Sequence, residues 1–464
     1  MAENVKFTKE VWSRMRAQIL KEIKPSPETH EEVRKIADEL VEKLNKISPD
    51  EIQVMLTGSF AKNTYVSGDV DFDVFVLFPE KYSLYDLQNM TFEWAKKFLE
   101  NWEIAYAQHP YIRGYYKGHH VDVVPSYKIK EGEPIKIRSA VDRTQLHTKY
   151  ILSVITEEQK DDVRILKKFL KRLGIYGAEI KTGGFSGYLC ELLILKYGSF
   201  YDLIMAARDW KFPVAIDLAG GRSERLLRAL FKDDAFIVID PVERKRNVAS
   251  PVSVDSLSKF VAAAHVFFLN PNASMFFTEL EIMKPSEIRE KVAERGTSFV
   301  LFEFPKPDKA DDILWGEIRK TLNSIENSFD KEGFDCTHQT AEVYDGKCYM
   351  LFELVHESLP AVMLQQGPYV RMGQHLEKFI REEMNNVDIF VKDERMWAVR
   401  KRRFSNIVQL VEDIQKRPLH HGVSKGIMQE ISTANVYTGE DSIFDESRKV
   451  YTMHLNRKFF LGII

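Results

Sequence analysis

The chain has 464 residues, of which 44% are hydrophobic and 29% charged, and a formal net charge of −3; this is the profile of a globular protein with room for roughly two to four domains. A membrane span is not expected, because no window nears about eighteen consecutive apolar residues, and MAENVKFTKEVWSRMR puts charges where a secretion signal needs an apolar stretch. Cys190, Cys336 and Cys348 are too few and too scattered for a disulfide framework, so a reducing, cytoplasmic setting is expected.

Apolar positions Val33, Ile36, Leu40 and Leu44 recur at helical spacing and predict helix over 8–46. A strand at 53–56, a Gly58-Ser59 loop and a strand at 70–78 follow, the last stopped by Pro79. Helix over 82–99 and short strands at 103–107, 112–116 and 120–127 complete an α+β pattern with a mixed sheet, ending near Ala140. From Val141 to Phe268 the periodicity is mainly helical. In DDVRILKKFLKRLGIYG the residues Val163, Leu166, Leu170 and Leu173 share one face, and Gly174 suits the helix end. GFSGYLCELLILKYGSF (184–200) reads as a buried helix, a strand at 236–238 leads into DPVERKRNVA, and helix returns over 254–269. Beyond that, strands are expected at 299–304, 348–355 and 397–401 and helices at 315–326 and 373–383. Cys336, His338 and Cys348 lack a convincing fourth zinc ligand nearby and read as ordinary strand and turn residues.

Charge is distributed unevenly. From Val391 onward there are 13 Lys and Arg against 9 Asp and Glu, an excess of +4 that leaves −7 for the rest. Part of the excess is the run Arg400, Lys401, Arg402 and Arg403, which fits either a polyanion-binding face or a merely solvated one.

The chemistry concentrates in GSFAKNTYVSGDVDFDV, 58–74. A strand sends alternate side chains to one face, so Asp71 and Asp73 emerge side by side in apolar surroundings, where carboxylates demand a cation. A third acid, Asp122, sits on another apolar strand in HHVDVVPSY. Three carboxylates from two strands suit a pair of divalent ions that activate a hydroxyl and stabilise leaving pyrophosphate, and Mg²⁺ prefers such oxygen donors. Gly58 admits close backbone approach, Ser59 can donate to a phosphate oxygen, and Lys62 adds charge a turn later. Separately these are weak signals. Their order is not: apolar strand, Gly-Ser, about a dozen residues, D-x-D, then a later Asp.

That order resembles the signature of polymerase-β-type nucleotidyltransferases. HPYIRGYYKGHHVDVVPSYKI, SAVDRTQLH, VRILKKFLKRLGIYGAE, GGFSGYLCELLI, DPVERKRNVA and GPYVRMGQHLEKF, in order along the chain, are similar to blocks of the archaeal, class I CCA-adding enzymes, with little resemblance over about 270–340. The resemblance implies an α+β multidomain fold: a catalytic polymerase-β-like nucleotidyltransferase head with a mixed sheet over 1–140, a mainly helical neck completing the nucleotide pocket over 141–270, and an α/β body and tail that bind tRNA over 271–464.

It further implies that Asp71, Asp73 and Asp122 hold the metal, with Asp122 helping to deprotonate the tRNA 3′ hydroxyl. Ser59 and Lys62 would hold the triphosphate, Thr144 and His147 would add phosphate or ribose contacts, and Lys167 and Tyr176 would complete the pocket. Arg246 would contribute to recognising cytosine or adenine, although the sequence leaves open which of Arg244, Lys245 and Arg246 points inward. Without the resemblance, Lys167 reads as a lysine snorkelling from an apolar face, Tyr176 as a core aromatic with a wet hydroxyl, and His147 as a structural histidine. His109, His119 and His120 flank the sheet without an assigned role. One departure stands out: family members often carry Arg where this chain has Lys62, and lysine lacks the two-pronged guanidinium fork.

The implied activity is template-independent addition and repair of the 3′-terminal CCA of tRNA from CTP and ATP, by two-Mg²⁺ in-line nucleotidyl transfer releasing pyrophosphate. The partners are the tRNA 3′ end and acceptor stem, with no membrane, and a homodimer is expected from the resemblance alone. A poly(A)-type RNA nucleotidyltransferase and a non-catalytic RNA-binding protein on the same fold are the alternatives.

Overall fold

The computed structural model describes residues 7–106, 109–129, 138, 140–277, 281–439 and 447–455. They fall into two compact units that part at residues 279 and 280.

The first unit begins with α1 (Lys9–Ile23) and α2 (Pro27–Ile47), where the sequence pattern predicts one helix. The interruption is Pro25-Ser26-Pro27. Ser26 caps α2 by accepting from the Thr29 N–H at 3.1 Å, and Pro27 takes the first helical position, where its missing N–H costs nothing. Next come β1 (Gln53–Thr57), α3 (Gly58–Ala61), β2 (Asp71–Phe78), α4 (Leu84–Ala95), β3 (Glu100–Tyr106), β4 (Pro110–Tyr116) and β5 (His119–Tyr127). Gly58-Ser59, expected in a loop, instead opens the single turn α3. The five strands form one sheet in the order β1-β2-β5-β4-β3. It is mixed, as expected: β2 and β5 run parallel at its centre and the other pairs are antiparallel. Phe72, Val74, Val76, Phe78, Val121 and Val123 pack under α2 residues Val33, Ala37, Leu40 and Leu44.

The unit continues with α5 (Arg143–Val154), α6 (Glu157–Arg172), α7 (Gly187–Tyr197), α8 (Phe200–Ala207), β6 (Val214–Asp217), α9 (Glu224–Leu230), β7 (Phe236–Ile239), α10 (Val254–Leu269) and α11 (Ser274–Phe277). Val163, Leu166 and Leu170 of α6 enter a core shared with α7, α8 and α10, and Trp12, Ile19 and Ile23 of α1 join this core. α7 starts later than the sequence suggests, because Phe185 is extended and bridges Tyr176, while Ser186 caps the helix through the Leu189 N–H at 3.1 Å. β6, parallel to β7, carries only four residues and escapes the sequence reading.

The second unit comprises α12 (Pro285–Arg295), β8 (Ser298–Pro305), α13 (Asp311–Glu332), β9 (Cys336–Tyr344), β10 (Lys347–Leu354), β11 (Val362–Tyr369), α14 (Gly373–Glu383), β12 (Asp388–Lys392), β13 (Arg395–Lys401), α15 (Ile407–Lys416), α16 (Met428–Thr433), β14 (Asn435–Thr438) and α17 (Arg448–Leu455). Its strands form an antiparallel sheet, β14-β8-β10-β9, and a small one, β11-β13-β12. Cys336 lies opposite Leu354 and Cys348 opposite Val343, so the two thiols sit at opposite ends of the β9–β10 hairpin.

Candidate active site

The parallel register of β2 and β5 puts Asp73 directly opposite Asp122, and Asp71 opposite His120. Asp71 and Asp73, two apart on β2, leave the same face. On the other side β1 brings Thr57 opposite Asp73, and Gly58 follows with φ +68°. A Cβ on Gly58 would lie 1.8 Å from Asp73 Oδ2, so glycine here admits the carboxylate as well as the turn.

Burial, then the neighbouring Asp122 and Asp71, push the Asp73 carboxyl up to about 6. Burial also raises Asp71, against the pull of His120, whose Nδ1 lies 3.3 Å from Asp71 Oδ1. Arg113 grips Asp122 with both prongs, Nε to Oδ1 at 2.8 Å and Nη2 to Oδ2 at 2.9 Å. With Asp122 turned to Arg113 and Asp71 to His120, no three His, Cys, Asp or Glu side chains among the described residues stand ready-made around an ion. The donor set still fits a hard divalent cation. It is all oxygen, on adjacent strands, and besides burial the two neighbouring carboxylates raise Asp73, a repulsion that a cation relieves.

Beside the acids, Ser59 is half-buried in α3. Lys62 is only 5% exposed, and its Nζ lies 2.5 Å from Oε2 of Glu191, a fully buried residue of α7. Glu191 Oε1 accepts from Thr64 Oγ1 at 2.8 Å, and Lys167 Nζ donates to the Thr64 carbonyl at 3.0 Å. Lys167 therefore does not snorkel: it is buried, and burial lowers its ammonium to about 8. Gly187 lets it approach Tyr176, since a Cβ there would stand 3.1 Å from Tyr176 Oη and 3.7 Å from Lys167 Nζ. Burial holds the Tyr176 phenol well above its ordinary range.

Thr144 and His147 lie one turn apart on α5. His147 stacks on Tyr188, centroids 3.8 Å apart, and its Nε2 is 3.0 Å from Oδ2 of the buried Asp240. Arg246 Nη1 donates to the same Oδ2 at 2.9 Å. This answers which cation of the run turns inward. Arg244 reaches toward Asp217 at 3.7 Å and Lys245 is exposed. Arg143 of α5 pairs with Glu243, tying the helix to the loop that carries Arg246. Lys62 Nζ, 5.9 Å over the Tyr188 ring, links the Glu191 and Asp240 clusters. The first unit thus brings all ten residues expected at the metal and nucleotide into one unit and adds Arg113, Tyr188, Glu191 and Asp240. The sequence carries a signal for the last two: each is a single acid embedded in an apolar run, LCELLIL and FIVIDP.

In the second unit the basic run divides. Arg400 Nε bonds Glu383 at 2.7 Å, Arg402 donates to the Glu332 carbonyl at 2.8 Å, Arg403 pairs with Asp413 at 3.2 Å, and Lys401 is exposed.

Three family models match consecutive stretches: the nucleotidyltransferase domain over residues 33–147, the second domain of tRNA nucleotidyltransferase over 161–277, and the C-terminal domain of CCA-adding enzyme over 295–439. The CCA-adding enzyme of Archaeoglobus fulgidus is 38% identical over 83% of each chain. That of Methanocaldococcus jannaschii is 38% identical over 86% of this chain and 89% of its own. The chain belongs to the CCA-adding enzyme family. The enzyme of Methanothermobacter thermautotrophicus, 33% identical, extends the match to 93% of this chain and 95% of its own. Membership makes this protein an enzyme, a tRNA nucleotidyltransferase of α+β fold, and sets aside the non-catalytic reading.

Proposed function

We propose that this member of the CCA-adding enzyme family adds and repairs the 3′-terminal CCA of tRNA from CTP and ATP, with no nucleic-acid template. The observation that carries the reading is the parallel register of β2 and β5, which sets Asp73 against Asp122 with Asp71 alongside. Asp71, Asp73 and Asp122 would hold Mg²⁺, which when bound supplies charge neutralisation at the triphosphate and at the attacking oxygen. Ser59 and Lys62 hold the triphosphate, Thr144 and His147 add phosphate or ribose contacts, Lys167 and Tyr176 complete the nucleotide pocket, and Arg246 contributes to recognising the base. The 3′ hydroxyl, its proton taken up at Asp122, attacks the α-phosphate in line and pyrophosphate leaves. The chain's contribution is positioning and preset charge. The reading includes a head over 1–140, a neck over 141–270, a tRNA-binding body and tail over 271–464, a homodimer and a cytoplasmic location. Among the described residues no helix is long and apolar enough to cross a membrane.

Asp71→Ala and Asp122→Ala should each abolish nucleotide addition and leave tRNA binding intact; C and A addition by either variant would refute the metal assignment. Incubating tRNA that lacks CCA with CTP, ATP or both separates this activity from poly(A) synthesis, which would extend the RNA with ATP alone.

A further inference from the structure

Asp240 follows β7 and has no exposed surface, yet nothing in the chemistry above uses it. Its carboxylate accepts four hydrogen bonds. Oδ2 takes His147 Nε2 at 3.0 Å and Arg246 Nη1 at 2.9 Å. Oδ1 takes Tyr188 Oη and the Val242 N–H, both at 3.1 Å. These fill the roughly four lone-pair sites a carboxylate offers. The Asp240 N–H donates to the Arg246 carbonyl at 3.1 Å, closing the loop between them. Although burial opposes ionisation, the bonds from His147, Val242 and Arg246 outweigh it and hold the carboxyl below its ordinary range.

The geometry points to Asp240 as a positioning residue that locks His147 and Arg246 into one rigid element, so that the group on the sugar–phosphate side of the nucleotide and the group facing its base move together. This rests on the reading that His147 and Arg246 contact the incoming nucleotide. A single oxygen accepts from both side chains, so neither can swing without disturbing the other. The ionised acceptor also places the imidazole proton on Nε2 and, with the Tyr188 ring stacked against it, fixes the ring plane. Arg246 is anchored through Nη1, and its remaining N–H groups have a defined direction for a base edge. The coupling ties discrimination between cytosine and adenine to the seating of the rest of the nucleotide.

Asp240→Asn keeps the size but replaces one acceptor oxygen with a donor that cannot serve the surrounding N–H and O–H groups. We expect kcat/KM for CTP and ATP, measured below the melting midpoint that the broken buried network lowers, to fall on the order of 100-fold, with altered C-to-A selectivity at each position of the added triplet, while tRNA binding stays near that of the parent enzyme. Introduced into a His147→Ala/Arg246→Ala background, the same change should add little further loss. An undiminished effect there overturns the proposal, as does normal selectivity in Asp240→Asn when His147→Ala and Arg246→Ala are impaired. If those two single variants add nucleotides normally, the nucleotide-contact reading itself fails, whatever Asp240 does. Should Asp240→Asn not fold, the His147→Ala and Arg246→Ala pair decides: losses smaller than additive in free energy support the lock, and strictly additive ones overturn it.

Discussion

Lys62 and Lys167 are two buried ammonium groups around one buried carboxylate, Glu191, with Thr64 bonded to both Glu191 and Lys167. Glu191→Gln removes the carboxylate that Lys62 and Thr64 contact, and breaking a buried pair costs about 3–5 kcal/mol; urea denaturation near neutral pH should read a loss of that size. Lys167 adds a pH signature. Its folded value of about 8 lies below the ordinary value of 10.5. Between the two the unfolded chain binds more protons, so stability rises with pH across that window relative to Lys167→Met. The same titration removes a positive charge proposed for the nucleotide pocket, so kcat/KM for CTP should fall above about pH 8. Lys167→Arg should remove the break, and a parent profile that stays flat through the window would take Lys167 out of the pocket. At Gly58 a methyl group would strike Asp73 at 1.8 Å, in a backbone region unkind to other residues. Gly58→Ala should therefore lose roughly 100-fold or more in addition rate, measured beside tRNA binding as a control. Asp71, Asp73 and Asp122 are legible in the sequence because a charge inside an apolar strand is an anomaly. Glu191 is the same anomaly, but its partner Lys62 lies 129 residues away, a contact that no local pattern encodes.

At the scale of elements, what the sequence reveals follows periodicity. β2, β5 and α10 have long, regular apolar patterns, and their observed ranges lie within two residues of those expected. The single helix expected over 8–46 divides because a proline pair with an intervening serine is a local stop signal that the apolar repeat spans. β11 and β12 are not anticipated, since VMLQQGPY and DIFVK lack the period-two alternation that marks a strand, and several apolar side chains, Leu364 and Val391 among them, stay exposed in a small sheet. The last described helix, α17, illustrates an anchor without a sequence signature. His454 Nε2 lies 2.7 Å from Oε2 of Glu353 on β10, and Thr297 Oγ1 donates to Oε1 at 2.7 Å. Burial disfavours the Glu353 anion, but His454 and Thr297 outweigh it and hold it down at about 2. A depressed carboxyl contributes stability that is complete above its unfolded value of about 4.5 and is lost as pH falls toward about 2. Glu353→Gln should destabilise the second unit by about 3–5 kcal/mol at neutral pH and flatten its acid limb; denaturation followed against pH tests both.

Across the whole molecule, a net charge of −3 gives no overall attraction to a polyanion; the excess of +4 from Val391 onward is a candidate grip on phosphates. Not every cation there is available. Arg400 is bound to Glu383 of α14, so it fastens that helix to β13, and Arg402 is spent on a carbonyl. Lys401 is exposed, and Arg403 shares Asp413 with Arg417 and His421 at the surface. If this face meets the acceptor stem, each phosphate contact contributes about 0.7–0.9 to the slope of log affinity against log salt. Lys401→Ala should shallow the slope by about one such increment with no change in melting. Arg400→Ala should leave the slope in place and lower the melting midpoint, because Glu383 then stays buried without its partner. Filter binding of tRNA over a salt series, beside thermal melts of the same variants, distinguishes the two. Equal flattening by both would mean that Arg400 leaves Glu383 for the RNA backbone, and no flattening by Lys401→Ala would move the grip away from this run altogether.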